Sequence, residues 1–326
     1  MKALVIGGTR NLGPSIVENL VAMGCQTSVF HRGVTQAAFG PEVERLYGDR
    51  RSEAQLGAAI GGRDFDVVVD TTLYTGPDAE ITARVLSGRV GRYVALSTGQ
   101  VYLVRIGAKR PFRENDYEGP VMPRPEDPDL PSWRYGIEKR AAEDAMRDAG
   151  FPAIWLRMPM VNSERDPYGR IAEYLARLRD GGPILVPEGP HLGLRHLYGE
   201  DAVAAVCYAA AGHVAINTAW NLSQDEELSL DEFLRLLATL DGRDLRTAAV
   251  PRQTLEERGL LPMCSPFSGQ WMSALDNAKW KTAFGWRFVG PDVYLPKLVE
   301  HYAANPRPPE GYGQRAKELA LLPPTS

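Results

Sequence analysis

The sequence has few cysteines and no long hydrophobic run, and both absences narrow the class of protein. The 326 residues include three cysteines, Cys25, Cys207 and Cys264, which are far apart and have no Cys-x-x-Cys spacing. They predict buried, reduced side chains rather than disulfides or a zinc site. No apolar stretch approaches the ~18 residues of a membrane span. The chain opens directly on a strand pattern, Met1–Ile6, rather than on a signal peptide. We therefore expect a cytoplasmic protein with no membrane partner.

An excess of basic charge is also missing. Lysine and arginine total 37 against 41 aspartates and glutamates, so the net charge is −4. Proteins that bind duplex nucleic acid normally carry a basic surface, so we expect no nucleic-acid partner. A Gly-x-Ser-x-Gly hydrolase motif is absent, and His191 and His196 have no carboxylates or cysteines at ligand spacing. We therefore predict no metal site.

Short β-rich runs alternate with helical patterns through the first half of the chain. The β-rich runs are Ala3–Ile6, Thr27–Phe30, Asp66–Asp70, Tyr93–Ser97 and Ala153–Arg157. The helical patterns between them are Pro14–Met23, Glu53–Ile60, Pro77–Leu86 and Trp133–Ala149. This alternation is typical of an α/β fold with a doubly wound parallel sheet of Rossmann type. We predict a dinucleotide-binding domain at residues 1–160, with residues 195–215 packing back on it.

In the second half of the chain, the helical patterns are separated by pieces rich in glycine and proline, such as Gly181–Pro183 and Pro187–Gly193. These patterns are Tyr168–Arg179, Gly199–Ala211 and Ser229–Leu240. Residues 161–326 are predicted to form mainly a smaller substrate-binding lobe, with a peripheral tail from Asn305. Arg105–Ser132 is rich in proline and charge, and a loop of that length in a compact fold is usually functional or mobile.

A glycine-rich loop joins the first strand to the first helix. Glycines at such a junction permit a tight turn and let a pyrophosphate approach the helix N-terminus. The strand before it and the helix after it favour this interpretation over a plain glycine turn. The candidate cofactor residues in the loop are Gly7, Thr9, Arg10, Asn11, Leu12 and Gly13.

The second strand ends at His31 and Arg32, which are further candidate cofactor residues. NAD-binding sites usually place Asp or Glu about 20 residues after the glycine motif, to bind the ribose 2′-hydroxyl. No acidic residue stands at this strand end, whereas the guanidinium of Arg32 suits a 2′-phosphate. NADP(H) is therefore favoured over NAD(H). The alternative is that Arg10 and Arg32 are solvated surface residues.

Other candidates stand at the carboxyl ends of strands, where open α/β sheets bind ligands. Asp49, Arg50, Thr71 and Thr72 are the cofactor candidates among them. Asp49 could accept a hydrogen bond from an adenine amine, or it could cap the helix that follows. Asn162, just after a later strand, could reach a substrate hydroxyl or could be only a turn residue.

Tyr135 and Lys139 stand four residues apart in a predicted helix, so they share one helical face. A phenol with a reference pKa near 10 is a poor acid at neutral pH, but a neighbouring ammonium favours the phenolate. Such a pair can donate a proton to a carbonyl that receives a hydride. A hydroxyl from Ser97 or Thr98 could hold the carbonyl oxygen, but adjacent strand residues face opposite sides of a sheet.

Several motifs together resemble the extended short-chain dehydrogenase/reductases, the NAD-dependent epimerase/dehydratase family. They are the glycine loop at Gly7–Gly13, the segment Ser97–Tyr102, the Tyr135/Lys139 pair, Leu156–Pro159, Leu197–Val203, and Asp276–Lys279 with Phe284–Trp286. The GGTR variant of the loop and the closing Gln314–Leu321 look most like the bacterial reductase-like branch, which is related to chloroplast stem-loop-binding proteins.

The resemblance implies roles for further residues. Thr98, three residues before Val101, would supply the catalytic hydroxyl, and Met158 would lie at the cofactor. The substrate candidates are Thr98, Gln100, Asn162 and Arg195. In many relatives an arginine that clamps a nucleotide-sugar phosphate stands where this chain has Leu194, and Arg195 is displaced by one residue. The gap from Thr98 to Tyr135 is also longer than usual, which implies an insertion at Arg105–Ser132.

The sequence thus predicts a ketoreductase that uses NADP(H) on a sugar-like or polyhydroxylated natural product. Tyr135 would be the general acid, Lys139 would lower the pKa of Tyr135 and hold the nicotinamide ribose, and Thr98 would orient the carbonyl. One alternative is a nucleotide-sugar epimerase or dehydratase that recycles NAD. Another is a non-catalytic cofactor-sensing or RNA-associated binding protein. The expected partner is a small-molecule substrate, with a homodimer as one option for assembly.

Overall fold

The computed structural model describes residues 1–126, 129–306 and 308–323. Its strands are β1 (Lys2–Ile6), β2 (Gln26–His31), β3 (Glu44–Tyr47), β4 (Phe65–Asp70), β5 (Val90–Thr98), β6 (Ala153–Met158), β7 (Val161–Asn162), β8 (Ile184–Pro187), β9 (Leu197–Tyr198), β10 (Thr218–Asn221) and β11 (Thr247–Val250).

The helices cover much of the remaining chain. They are α1 (Gly13–Ala22), α2 (Glu53–Ile60), α3 (Gly76–Leu86), α4 (Gln100–Leu103), α5 (Leu130–Asp148), α6 (Arg170–Arg179), α7 (Gly199–Ala210), α8 (Leu230–Leu240), α9 (Arg252–Glu257), α10 (Ala278–Phe284), α11 (Pro291–Ala304) and α12 (Arg315–Leu319). Short 3₁₀ helices occur at Glu114–Tyr117 and Glu310–Gln314. Among the described residues, no helix combines the length and the apolar character that crossing a membrane requires.

A parallel sheet with the strand order β10-β6-β5-β4-β1-β2-β3 organises the first part of the molecule. The residues of β1 and β4 are almost entirely buried, which explains their near-continuous apolar sequences. Ile6 of β1 lies level with Phe30 of β2 and with Asp70 of β4. The loops that follow these three strands therefore meet at one edge of the sheet, where the strand order reverses and such folds bind ligands. The predicted Rossmann-type α/β fold is confirmed.

The chain divides into two compact units. The first contains Met1–Val161, Gly199–Ser223 and Ser273–Arg287; the second contains Asn162–Tyr198, Gln224–Met272 and the chain from Phe288 onward. The predicted return segment thus begins at Gly199 rather than at residue 195, and its helix α7 packs against α1 and the sheet.

The inclusion of Ser273–Arg287 in the first unit differs from the predicted division, which gave everything beyond residue 215 to the second lobe. The backbone of Phe112 donates to Ala274 and accepts from Asp276, which fixes this segment beside the first unit. Trp280 is fully buried and packs edge-on against Trp220 of β10. Contacts between residues distant in the sequence decide this placement.

The segment Arg105–Ser132, predicted as a functional or mobile loop, is partly packed in the structure. It contains the 3₁₀ helix Glu114–Tyr117, and Phe112 and Tyr117 are buried with Tyr102 and Leu275. Helix α5 starts within the segment, at Leu130, because Pro131 is well tolerated in a first helical turn. Residues 127 and 128 of this segment, and residues 307 and 324–326 of the predicted tail, lie outside the described residues.

The second unit holds an ion network, buried at Arg177, Glu173 and Glu318 and exposed at Asp180, between helix α6 and the C-terminal helix α12. Arg177 pairs with Glu173 at 2.7 Å and with Glu318 at 2.5 Å. Arg315 pairs with Glu318 at 2.9 Å and with Asp180 at 2.7 Å. The closing segment of the chain is therefore tied to α6 by direct charge pairs.

The three cysteines, Cys25, Cys207 and Cys264, are all buried and free.

Candidate active site

The glycine loop packs so closely that larger residues would not fit. Gly7 has φ +92°, and a Cβ atom there would lie 2.3 Å from Thr71 Oγ1. A Cβ atom on Gly13 would lie 2.6 Å from the Cα of Gly8. Helix α1 starts at Gly13, and the N-cap residue Leu12 makes no side-chain hydrogen bond to the described part of the helix. The first backbone N–H groups of a helix have no partner within the helix. This arrangement is a cradle suited to an anion.

The residues after β4 complete the cradle. The Thr71 hydroxyl donates to the Ile6 carbonyl at 3.1 Å and accepts from the Gly8 N–H at 3.1 Å. The Thr72 N–H donates to Asp70 Oδ1 at 2.8 Å. Thr71 thus fixes the loop after β4 against the glycine loop, and Thr72 is held by Asp70 beside it, at the sheet edge that the sequence predicted. Thr9 and Asn11 of the glycine loop are half-buried, and Asn11 has a positive φ of 51°.

The end of β2 places His31 and Arg32 in different environments. His31 Nδ1 accepts from the Gly33 N–H at 3.1 Å, and its ring lies edge-on to the Tyr47 ring at 5.0 Å. Burial, with the Arg45 charge, lowers the pKa of His31. Its Nε2 is buried and has no hydrogen-bond partner in the described part of the chain. Arg32, like Arg10, is exposed.

Asp49 lies near Arg32, but it forms an ion pair with Arg51, which was not among the predicted site residues. Arg51 pairs with Asp49 at 2.7 Å, and this hydrogen bond is the main reason that the pKa of Asp49 is about 2. The charge of Arg32 adds to the effect. Ser52, rather than Asp49, caps helix α2 by accepting from the Gln55 N–H. The alternative of a capping role for Asp49 is therefore wrong.

Arg50 requires a correction. The residue is buried, and its Nη1 pairs with Asp70 Oδ1 and Oδ2 at 2.8 and 2.7 Å. Its Nη2 donates to the Thr82 hydroxyl at 2.7 Å. The guanidinium is therefore committed to an internal ion pair rather than presented to a cofactor. Its place next to Asp49 in the sequence suggested a ligand, but the pairing with a non-adjacent strand decided its role.

The end of β5 separates the two candidate hydroxyls. Ser97 is buried, and its hydroxyl donates to Glu143 Oε1 at 2.5 Å. Thr98 is half-buried, and its hydroxyl accepts from the Gln100 N–H at 3.2 Å. The two side chains take opposite sides of the strand, as strand alternation requires. Ser97 is held inside the protein, which supports the choice of Thr98 as the substrate-facing hydroxyl.

Helix α5 brings Tyr135 and Lys139 to the segment that follows Thr98. A Cβ atom on Gly136, the residue after Tyr135, would lie 2.8 Å from the Gln100 carbonyl oxygen. This close approach requires glycine, and the sequence analysis did not single it out. Tyr135 is 37% exposed, whereas Lys139 is 4% exposed. One side chain of the pair therefore faces solvent and the other lies inside.

Two backbone carbonyls near the ends of β4 and β5 bind the Lys139 ammonium. Nζ donates to the carbonyl oxygens of Leu73, after β4, and Leu96, in β5, at 2.7 Å each. Burial lowers the pKa of Lys139 to about 8, although the Glu143 and Asp70 charges oppose the change. Nζ also lies 5.5 Å from the ring of Tyr74, and that ring lies 6.4 Å from the Tyr135 ring. Tyr74, 48% exposed, is a neighbour of the pair that the sequence analysis missed.

Gln100 and Met158 lie close to Thr98 but are largely buried. The Gln100 side-chain amide donates to the Ser132 carbonyl at 3.3 Å. Met158 pairs with Thr98 across the sheet, and its carbonyl accepts from the Gly99 N–H at 2.7 Å. Both residues shape the end of β5. Helix α5 reaches the same strand end through Gly136, beside the Gln100 carbonyl, and through Lys139, bonded to the Leu96 carbonyl.

Asn162 and Arg195 belong to the second unit. Asn162 is buried, and its amide nitrogen lies 3.0 Å from His196 Nδ1 and 3.1 Å from the Tyr294 hydroxyl. Arg195 is half-buried and donates from Nε to the Gln224 carbonyl at 2.9 Å. Asn162 is thus part of a buried polar cluster, and its Oδ1 has no partner among the described residues. No group of three or more His, Cys, Asp or Glu side chains in those residues could hold a metal ion.

Comparison with known proteins gives a family match over most of the chain. The model described as the NAD dependent epimerase/dehydratase family matches residues 3–223. The 2′-dehydrokanamycin reductase of Streptomyces kanamyceticus is 26% identical over 266 residues, which are 79% of this chain and 72% of the relative. The chloroplast stem-loop binding protein of 41 kDa b of Arabidopsis thaliana is 23% identical over 74% of this chain and 63% of its own length.

A solved structure supports the same fold. The dTDP-glucose 4,6-dehydratase of Bacillus anthracis, in complex with NAD, superposes with a TM-score of 0.72 at 17% sequence identity. The match covers 94% of this chain and 97% of that protein. At this identity the likeness concerns the arrangement of strands and helices.

Proposed function

Because the chain belongs to the NAD dependent epimerase/dehydratase family, we propose that it is an NADP(H)-dependent reductase of a sugar-like, polyhydroxylated ketone. The chain is an enzyme of the extended short-chain dehydrogenase/reductase type. The observation that carries the proposal is the pair on helix α5, in which a buried Lys139 lies one turn from a partly exposed Tyr135. The similarity to a reductase of a keto-aminoglycoside favours net reduction.

In this proposal, side chains of the protein donate the proton that the reduction requires. Tyr135 gives its phenolic proton to the substrate's carbonyl oxygen, and the Lys139 ammonium stabilises the phenolate that remains. Thr98 donates a hydrogen bond to the same oxygen and so orients the carbonyl. The nicotinamide cofactor, when bound, supplies the hydride that the carbonyl carbon receives. The phenol then regains a proton from solvent.

The cofactor-binding residues fit the proposal. Glycine at positions 7 and 13 lets the loop pack closely against Thr71 and the Gly8 backbone, which is the loop geometry that brings a pyrophosphate to a helix N-terminus. Lys139 uses two of its three N–H donors on backbone carbonyls, so one donor can serve a ribose hydroxyl. Arg32 is exposed at the end of β2, where a 2′-phosphate would need a cation. NADP(H) is therefore the proposed cofactor, with NAD(H) as the alternative.

Titration with both cofactors tests the NADP preference. We expect NADPH to bind more tightly than NADH. Arg32→Ala should weaken NADPH binding about tenfold or more, because a hydrogen bond to a charged group contributes about 1.5–3 kcal/mol. NADH binding should change little. Arg258→Ala, at an exposed arginine of the second unit, is the control. Equal affinities for the two cofactors would contradict the preference.

Turnover of Tyr135→Phe tests the chemistry. With NADPH and a panel of keto sugars that includes 2′-dehydrokanamycin, we expect a loss of about 10²–10⁴-fold, the usual contribution of general acid catalysis. NADPH affinity should remain close to that of the wild type. Tyr168→Phe removes a hydroxyl from an exposed tyrosine of the second unit and should leave turnover unchanged. Near-normal turnover of Tyr135→Phe would show that another group donates the proton.

The fate of the cofactor separates reduction from epimerisation. A reductase consumes one NADPH for each product molecule, and a deuterium at the reactive carbon 4 of NADPH appears on a product carbon. An epimerase or dehydratase regenerates its cofactor in place. Conversion without net NADPH consumption and without label transfer would therefore assign the chain to that alternative.

A further inference from the structure

Lys139 belongs to a group of buried ionisable side chains in the first unit. Arg50, Asp70, Lys139, Glu143 and Arg157 are each between 0% and 9% exposed. Three of these groups are cations and two are carboxylates. A sixth buried group, the carboxylate of Asp78, is 7% exposed and acts on Arg50. When all six are ionised their charges balance, so the loss of a carboxylate leaves a buried cation without compensation.

Glu143 is the most firmly held carboxylate of the group. Its Oε2 accepts from Arg157 Nη2 at 2.5 Å, and its Oε1 accepts from Arg157 Nε at 3.1 Å and from the Ser97 hydroxyl at 2.5 Å. Burial raises the pKa of Glu143, but Arg157 and Ser97 outweigh burial and leave it below its usual value. Glu143 is therefore ionised at neutral pH. It stands four residues after Lys139, one turn further along helix α5.

Lys139 has no such direct partner. Its Nζ donates to two neutral carbonyls, and no described carboxylate lies within ion-pair distance of it. Its charge is balanced at longer range by Glu143 on its own helix and by Asp70 at the end of β4. Arg50, which is paired with Asp70, acts in the opposite direction.

We propose that Glu143 is a positioning residue whose carboxylate, clamped by Arg157 and Ser97, keeps the Lys139 ammonium charged inside the protein. The reason is the order in which the cations lose protons. Without the Glu143 charge, Lys139 and Arg157 would be two buried cations with too little negative charge near them. Arginine does not deprotonate in proteins, so lysine would give up its proton instead. The use of that charge in catalysis rests on the proposed function, but the electrostatic claim does not.

Titration of Lys139 in the ligand-free, full-length chain tests the proposal. The chain contains seven lysines, so labelling with ¹³Cε-lysine gives few NMR signals, and the Lys139 signal is the one missing from Lys139→Arg. In Glu143→Gln, we expect the pKa of Lys139 to fall by about one to two units, as is usual when a nearby opposite charge is lost. Asp148→Asn removes an exposed carboxylate from the same helix and should leave the Lys139 pKa unchanged.

A double-mutant cycle distinguishes an electrostatic role from a merely structural one. Arg157→Gln should raise the pKa of Lys139, since the Glu143 charge would then lack its own partner. The double variant Glu143→Gln/Arg157→Gln restores the charge balance of the wild type and should return the Lys139 pKa at least halfway to that of the wild type. If Glu143→Gln does not fold, the difference between the Lys139 pKa in Arg157→Gln and that in the double variant measures the same effect.

An unchanged Lys139 pKa in folded Glu143→Gln would overturn the proposal. A fall in the Lys139 pKa that the double variant does not reverse would also overturn the proposal, because such a fall would indicate loss of structure rather than loss of charge. Neither measurement uses cofactor or substrate. A failure here is therefore distinct from a failure of the proposed reductase activity, which the cofactor and turnover experiments test.

Discussion

Each unit contains a network of ion pairs with buried arginines, and the two networks differ in design. In the second unit, Arg177 and Arg315 each pair directly with two carboxylates, at distances between 2.5 and 2.9 Å. In the first unit, two arginines also pair directly with carboxylates, but Lys139 donates only to backbone carbonyls. The first network thus contains a cation with no direct carboxylate partner, whereas each of these two arginines of the second has two.

This difference separates a network made of direct ion pairs from one that contains a cation with only carbonyl partners. Removing one member of a direct pair leaves an uncompensated buried charge, so such pairs hold elements together once formed. The second network accordingly ties α12 to α6. A buried ammonium with only carbonyl partners keeps a low pKa and can respond to a nearby phenolate or ligand. Lys139 is in that position.

The two units also differ in the pKa of a buried basic side chain. Burial lowers the pKa of His196, in the second unit, to about 3, whereas the pKa of Lys139 is about 8. At neutral pH the histidine is therefore neutral and the lysine is mostly charged. His196 packs against Phe233 and Phe267, with no carboxylate acting on its charge.

The largest expected effect is on the second network. Glu318→Gln leaves Arg177 and Arg315 each with one carboxylate, and breaking a buried pair typically lowers the free energy of unfolding by about 3–5 kcal/mol. Urea unfolding measures the loss, and Glu300→Gln, an exposed site on α11, is the control. NADPH affinity should not change. A loss no larger than that of the control would remove the structural role of this network.

The next effect concerns His196 in acid. Because its pKa is about 3 in the folded chain and about 6.5 when unfolded, only the unfolded state gains a proton between these values. Stability should therefore fall as the pH drops below 6.5, with about 3 kcal/mol lost from this residue by pH 4. His196→Asn, compared with the wild type by thermal unfolding from pH 7 to pH 4, should be less sensitive to acid. Parallel curves for the two proteins would contradict the assignment of a neutral histidine.

Lys139 should show a smaller effect at the other end of the pH range. Its pKa is about 8 in the folded chain and 10.5 when unfolded, so the unfolded state binds more protons between these values. Stability of the wild type relative to Lys139→Met should therefore rise by about 2 kcal/mol from pH 7.5 to pH 10. Unfolding at both pH values measures the change. A difference that does not vary with pH would mean that the ammonium is not buried in solution.

The smallest effect is expected at an exposed ion pair of the first unit. Arg84 of α3 pairs with Glu53 of α2 at 3.0 Å, with both side chains about half exposed. Because solvent screens such pairs, Glu53→Gln should change the free energy of unfolding by about 0.5 kcal/mol or less. A larger loss would show that burial does not account for the difference between the exposed and buried pairs.

The sequence predicted the elements that depend on local pattern. Alternating apolar runs and helical patterns gave the parallel sheet, and the loops at its carboxyl edge include the glycine cradle. The Tyr135/Lys139 spacing placed both residues on one helical face. The opposite orientations of Ser97 and Thr98 likewise follow from the twofold period of a strand. These features depend on residues only a few positions apart.

The placements that the sequence did not predict depend on contacts between distant residues. Arg50 pairs with Asp70, and Ser273–Arg287 joins the first unit through Phe112, although neither contact has a local signal. Asn162 lies in a buried polar cluster with His196 and Tyr294.

The sequence by itself determined which residues could do acid–base chemistry here, because helix and strand periods fix which neighbours share a face. Only the tertiary structure decided their charge states. Whether Lys139 is solvated or buried, and which carboxylates act on it, depends on β4, β5 and β6 meeting helix α5. The pKa of a side chain follows from desolvation and from charges through space, and residues far apart in the chain supply both.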